Sequence, residues 1–200
     1  MDWSSAYQER VPVLKKVAEE IQVLLEDLFR GMPRIDRIST RVKAVHRFAE
    51  KANRVDPLSR GLKYKYPLDE IQDQVGARIV VFYRSDVEPV AERILAEIRQ
   101  VEDRKIEQPD PERFGYEARH FVCFIPHDIY VNYEPPIDFF ELQVSTLFQH
   151  AWAEANHDLG YKPQGELTYD DRRQIAWAAA QAWGADLIFD ELWNRREDTS

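Results

Sequence analysis

Cysteine is nearly missing: Cys123 is the one example in 200 residues. An internal disulfide is therefore excluded, and the composition fits a reducing cytosol. Cys123 sits in HFVCFIP, an apolar run with strand character, and reads as a small buried hydrophobe rather than a nucleophile. Long apolar runs are missing too. None approaches the roughly 20 residues that span a bilayer, so no membrane segment is expected. The opening MDWSSAYQER lacks a basic region followed by an apolar core, so no secretory signal is expected either. There is no internal repeat and no low-complexity tract. Positive charge is in deficit: 27 Lys and Arg against 36 Asp and Glu leave a formal net charge of −9. That balance argues against general attraction to polyanions.

What is present is an ordinary globular composition, 44% hydrophobic and 32% charged. The length suits one domain with a real core. The charge is uneven. Residues 41–65 carry Arg41, Lys43, Arg47, Lys51, Arg54, Arg60, Lys63 and Lys65 against only Glu50 and Asp56. A short basic patch on an acidic chain suits a compact anionic ligand such as a nucleotide better than duplex nucleic acid. A solvated helix face is the alternative reading.

Hydrophobic spacing predicts a helix over residues 13–28, closed by Gly31 and Pro33. RISTRVK alternates and predicts a short strand. Phe48, Ala49 and Ala52 predict a helix that puts Arg47, Lys51 and Arg54 on one face. GARIVVFY is a β-branched run expected to be buried on both sides. A helix over residues 86–100 follows, with Asp86 as its expected N-cap. RHFVCFIP and IDFFELQVS predict two more strands, and helices are expected over residues 146–159 and about 168–194. Helices flanking a group of strands predict an α/β or α+β class with a mixed sheet.

Chemistry-bearing residues gather at one strand-to-helix turn. In DFFELQV, Phe140, Leu142 and Val144 point one way and Glu141, Gln143 and Ser145 the other. On the next helix, Phe148, Ala151, Trp152, Ala155 and Leu159 make an apolar stripe, and His150, Glu154, His157 and Tyr161 lie opposite. For Glu154 the reading is a solvated face. Spacing alone permits a zinc site from His150, Glu154 and His157, but nothing resembles HExxH and no cysteine ligand is near. Asp73 stands just ahead of the buried GARIVV strand. With Glu141 it would give two hard oxygen ligands for a divalent metal at the mouth of a sheet. A turn residue with no ligand is the alternative for Asp73. In RFGYEARHF, Gly115 allows a turn, and Tyr116 beside cationic groups can serve as a base-stacking platform or simply begin a strand.

These pieces together resemble the synthetase domain of the RelA/SpoT family. The shared pieces are Arg41, Lys43 and Lys51, IQDQVGARI at 71–79, GYxxxH at 115–120, ELQV at 141–144 and HAWAEANHDLGYK at 150–162, in the family's order. The match spans about residues 35–162. The resemblance implies a nucleotidyltransferase-like synthetase fold. It also implies transfer of the β,γ-pyrophosphate of ATP to the 3′-hydroxyl of GDP or GTP, making alarmones. Arg41, Lys43, Lys51 and Arg78 would hold ATP, with Arg47 an added cation on that side. Asp73 and Glu141 would bind Mg²⁺, and Glu141 would take the hydroxyl proton. Tyr116 would stack on the acceptor base, and His120, Gln143 and His150 would line its pocket. Pyrophosphoryl transfer needs a metal, cations on a spreading negative charge and an oriented hydroxyl, so the residue types agree.

Three positions depart from the family pattern: Arg47 and Ala118 stand where serine is usual, and Ser145 where arginine is. They leave open a toxin-like variant acting on adenine nucleotides or tRNA 3′ ends, and a degenerate binding module. Retention of both Asp73 and Glu141 argues against the last. A free guanine nucleotide is the expected acceptor, with tRNA less favoured because the basic patch is short. One synthetase domain is expected over residues 1–200, with terminal helices at about 10–30 and 168–194. A separate hydrolase, regulatory or ribosome-binding domain is not expected. Ile175, Trp177, Trp183, Leu187, Ile188, Leu192 and Trp193 make the last helix unusually apolar. A homo-oligomer through this helix is expected, with packing on the N-terminal helix as the alternative.

Overall fold

The computed structural model describes residues 3–108, 110, 113–133, 136–159 and 167–197. Five strands form one mixed sheet: β1 (Ile35–Val42), β2 (Val75–Val81), β3 (Gln100–Ile106), β4 (Ala118–Phe124) and β5 (Phe139–Thr146). Their spatial order is β1-β2-β5-β4-β3, antiparallel except for the parallel pair β2–β5. Seven helices accompany them: α1 (Trp3–Leu28), α2 (Val45–Ala52), α3 (Pro67–Glu70), α4 (Val87–Glu97), α5 (His127–Tyr130), α6 (Leu147–Leu159) and α7 (Tyr169–Glu197). The class is α+β with a mixed sheet flanked by helices, as the sequence leads one to expect.

The period-2 pattern decides which way each strand faces. Ala77, Ile79 and Val81 of β2, Phe140, Leu142 and Val144 of β5, and Phe121 and Cys123 of β4 are buried in one apolar cluster. α1 covers β1 and β2, and α4 lies against β5. From α1 come Leu14, Val17, Ile21 and Leu25, all essentially inaccessible. Each such side chain contributes about 1.5–3 kcal/mol of burial. Cys123 is fully buried, and burial pushes its thiol up to about 12, so it is an inert core residue. No described helix is long and apolar enough to cross a membrane.

Three features differ from the sequence reading. The N-terminal helix begins at Trp3 rather than near residue 13 and carries Pro12 inside it. Its first turns are held by tertiary contacts: Tyr7 is fully buried and stacks on Phe48 with ring centroids 3.9 Å apart. Asp86 makes no side-chain cap for α4. Its carboxylate accepts from the Tyr83 backbone N–H (3.1 Å) and from Arg34 Nε (2.8 Å), closing the 3₁₀ turn Arg84–Asp86 before the helix. Strand β3 is an addition. QVEDRKI has no buried face to give it a period, because β3 is the edge of the sheet and pairs only with β4. Charged side chains on such an edge also discourage pairing with other chains.

Candidate active site

Asp73 belongs to the 3₁₀ turn Gln72–Gln74, directly ahead of β2. The buried Gln74 fixes this turn by donating from Nε2 to the carbonyls of Leu68 (2.7 Å) and Ile71 (2.9 Å). Its own carbonyl accepts from the Lys43 backbone N–H at 2.9 Å. α1 reinforces the turn. Arg10 donates to the carbonyls of Leu68 and Pro136, and the Tyr7 hydroxyl donates to the Lys43 carbonyl at 3.0 Å. Sequence reasoning misses Tyr7 and Arg10. The one available signal is a charged residue on the apolar stripe that Tyr7, Arg10, Leu14 and Val17 make along α1.

Two ammonium groups converge on one oxygen of Asp73. Lys43 Nζ lies 2.7 Å and Lys51 Nζ 3.0 Å from Oδ2. Burial raises the Asp73 carboxyl, but the charges and hydrogen bonds of Lys43 and Lys51 outweigh it and hold the group below its ordinary range. The other oxygen, Oδ1, is buried and has no hydrogen-bond partner among the described residues. A buried carboxylate oxygen left this way is suited to an incoming cation.

Glu141 faces the same space from β5. Its register partner on β2 is Gly76, whose partner on β1 is Arg41, so Arg41 and Glu141 flank a residue without a side chain. Gln143 Nε2 donates to Glu141 Oε2 at 2.9 Å, and His120 Nδ1 lies 3.5 Å from Oε1. Burial raises this carboxyl as well; hydrogen bonding and charge from His120 outweigh it, and the net direction is downward. His120 Nε2 is 3.1 Å from the Tyr116 hydroxyl. With a proton on Nδ1, His120 donates to Glu141, since an ionised carboxylate can only accept. The Tyr116 ring meets the His120 ring edge-on at 5.6 Å, and burial pushes its phenol up to about 12. In the turn before it, Gly115 leaves room for the amide end of Gln108. A Cβ there would lie 2.6 Å from Gln108 Nε2, which donates to the Tyr116 carbonyl at 3.2 Å.

Arg78, Gln143 and His120 form one cross-strand row, set by the register of β2, β5 and β4. Arg78 Nη2 is 3.4 Å from Gln143 Oε1. Its Nη1 lies 2.9 Å from His150 Nδ1 and also donates to Glu154 Oε1. Burial and then the Arg78 charge hold His150 below its ordinary value, so it is a neutral acceptor at pH 7. Glu154 is therefore the ionic partner of Arg78 rather than a bystander on a solvated face. Among the described residues no group of three His, Cys, Asp or Glu is placed to hold a metal, which removes the zinc arrangement of His150, Glu154 and His157. Tyr161 lies outside the described residues.

Arg41, Lys43, Arg47, Lys51, Asp73 and Glu141 share one cleft of about 710 Å³, lined also by His46, Arg54, Glu154, His157 and Asp158. That volume is in the range of small-molecule sites. Arg78 and Gln143 line a smaller adjoining space that shares Arg41 and Glu141 with it, and Tyr116, His120 and His150 line neither. Arg47 and Lys51 come from one face of α2, whereas Arg54, expected on the same face, lies beyond the helix end at Ala52 and reaches the cleft from the following loop. Arg47 also pairs with Glu50 at 3.1 Å. Ala118 and Ser145 line a second cavity with Arg84, Glu117, Gln149 and Asp186.

Comparison with known proteins follows the same lines. The family described as a region found in RelA/SpoT proteins matches residues 40–166. A curated relative, the GTP pyrophosphokinase YjbM of Bacillus subtilis (strain 168), is 29% identical over 188 residues, 93% of this chain and 84% of the relative. The small alarmone synthetase 1 of Bacillus subtilis superposes with a TM-score of 0.78 at 24% identity, covering 97% of this chain and 98% of that one. The structure of that enzyme bound to its product pppGpp gives 0.76 at 26% identity, covering 96% and 97%.

Proposed function

The chain belongs to the RelA/SpoT family, and from that premise we propose that it is a small alarmone synthetase. It transfers the β,γ-pyrophosphoryl group of ATP to the 3′-hydroxyl of GDP or GTP. The observation that carries this reading is the pairing of two partly buried carboxylates with a cationic wall. Asp73 and Glu141 face one cleft, both held ionised, with Lys43 and Lys51 on Asp73 and Arg41 beside Glu141. A relative named GTP pyrophosphokinase and a similar enzyme solved with pppGpp support the same chemistry.

In this reading Arg41, Lys43, Arg47, Lys51 and Arg78 receive ATP. Arg41, Lys43, Arg47 and Lys51 line the cleft where a triphosphate would run, and Arg78 stands in the adjoining space. Tyr116 stacks on the acceptor base, and His120, Gln143 and His150 shape the pocket around its ribose and phosphates. The acceptor 3′-oxygen attacks the β-phosphorus of ATP. The new O–Pβ bond forms, the bond between Pβ and the oxygen bridging to Pα breaks, and AMP leaves with that oxygen. Glu141, ionised and fixed by Gln143 and His120, takes the hydroxyl proton. Asp73 and Glu141 would hold Mg²⁺, and the open Oδ1 of Asp73 fits that role. When bound, the ion would neutralise charge on the transferring phosphates. The protein is expected to work in the cytosol.

Incubation with γ-³²P-labelled ATP and separately GDP, GTP, AMP or deacylated tRNA tests the proposal. Label on GDP or GTP is the expected result. Label on tRNA or AMP alone would transfer the chain to the toxin-like branch. No label on any acceptor, with ATP still bound, would leave only a binding module.

A further inference from the structure

A second cavity, of about 250 Å³, lies at the far end of β4 and β5, between the start of α4, the start of α6 and the middle of α7. It shares no lining residue with the ATP cleft. Asp186 of α7 is 2% exposed and stands in its wall. One carboxylate oxygen, Oδ2, accepts from Thr146 Oγ1 at 2.6 Å. The other, Oδ1, is buried without a hydrogen-bond partner among the described residues, and so is the hydroxyl of Ser145, also 2% exposed.

The cations that line this space are engaged elsewhere. Arg119 is held by Asp103 (2.7 Å) and Glu88 (2.6 Å), Lys105 faces Glu88 at 3.4 Å, and Arg84 faces Glu117 at 3.7 Å. Burial pushes the Asp186 carboxyl up to about 6, which leaves it largely ionised at pH 7. The charge of Arg84 and a hydrogen bond from Gln149 offset part of this rise. Among the described residues, however, no salt bridge reaches Asp186, and a buried ionised carboxylate so placed favours a cation that can reach it. Val87, Ile106 and Val144 supply the apolar remainder of the wall.

We propose that this cavity is a binding site for a small organic cation, with a guanidinium head on Asp186 and Ser145 and a short apolar tail against the three aliphatic side chains. Two open oxygens suit the planar fork of a guanidinium better than the single point of an ammonium. Ser145 is short, so a guanidinium can stand beside it in the cavity. The inference does not depend on the transfer reaction, because the cavity and its two open oxygens are separate from the cleft.

Thermal unfolding of the full chain, without nucleotide, tests it with methylguanidinium chloride as probe and tetramethylammonium chloride as the ionic-strength control. A saturable rise in Tm is expected for the wild type, about 3 °C at ten times Kd. Methylammonium should give a smaller rise, and tetramethylammonium none. The rise should vanish in Asp186→Asn and in Ser145→Arg, and shrink at pH 5, where the wild-type carboxyl is mostly protonated. Equal rises in wild type and Asp186→Asn, or no rise in the wild type, would overturn the proposal. If Ser145→Arg does not fold, Asp186→Asn alone decides.

Discussion

Asp73 and Glu141 illustrate how single side chains acquire a role from their neighbours. Each is partly buried, which by itself would favour the neutral acid, yet each is held ionised by specific partners. Asp73→Asn or Glu141→Gln removes a charge from a cleft lined with cations. Either change is expected to lower transfer by at least a thousandfold, about 4 kcal/mol of transition-state stabilisation. Circular dichroism should be unchanged. A folded variant with near wild-type turnover in Mg²⁺ would refute the assignment. Tyr116→Ala removes a stacking face and is expected to weaken acceptor use by about 1–3 kcal/mol while leaving ATP affinity intact. Separate titrations of the two nucleotides check it; a loss confined to ATP would mean that the two pockets are reversed.

At the scale of elements, α7 is tied to the strand-to-helix turn of β5 and α6. Thr146 Oγ1 accepts from the Gln149 backbone N–H at 3.2 Å and caps α6, and the same hydroxyl donates to Asp186 of α7. The Asp186 carboxyl is raised from 3.8 to about 6 in the fold, mainly by burial. The native state therefore binds this proton more tightly than the unfolded chain. Stability from this group is highest below about pH 4, falls as pH rises towards 6, and is flat above. Asp186→Asn removes that dependence. Its stability relative to wild type is expected to rise by about 2–3 kcal/mol between pH 4 and pH 7. Denaturant melts of both proteins across that interval would show it, and parallel curves would count against it. α1 acts on the opposite edge, where Tyr7 and Arg10 brace the backbone of the segments carrying Lys43 and Asp73.

For the whole molecule, α7 is the open question. Trp183 and Trp193 turn inward, against Phe114 (5.7 Å) and Tyr83 (5.1 Å), and α7 packs along α6. Trp177, Ile188, Phe189 and Leu192 stay exposed, Trp177 at 68%. An apolar face of this kind favours a partner, and a homo-oligomer through α7 is the expected state. Light scattering at micromolar concentration should give more than the 23.6 kDa of one chain, and a clean monomer would dispose of the idea.

Much of this protein was legible in its residues. Alternation in RISTRVK and DFFELQV told which side chains share a face, because strand geometry places every second residue together whatever surrounds it. Helical spacing put Arg47 and Lys51 on one side of α2 for the same local reason, but not Arg54, which follows the helix end. Motif order brought the remaining cleft residues to the family. The edge strand β3 was not legible, since an exposed strand has no apolar face to impose a period on QVEDRKI. The early start of α1 was hidden by Pro12 and depended on burial of Tyr7 against Phe48. The partnership of Arg78 with Glu154, the support that Arg10 gives to the Asp73 turn, and the open carboxylate of Asp186 join residues 76, 58 and 40 or more positions apart. Local pattern carries no information about such pairs. Only the packing of α1, α6 and α7 on the sheet brings them within hydrogen-bond distance, and with it decides which charges are paired and which are left open.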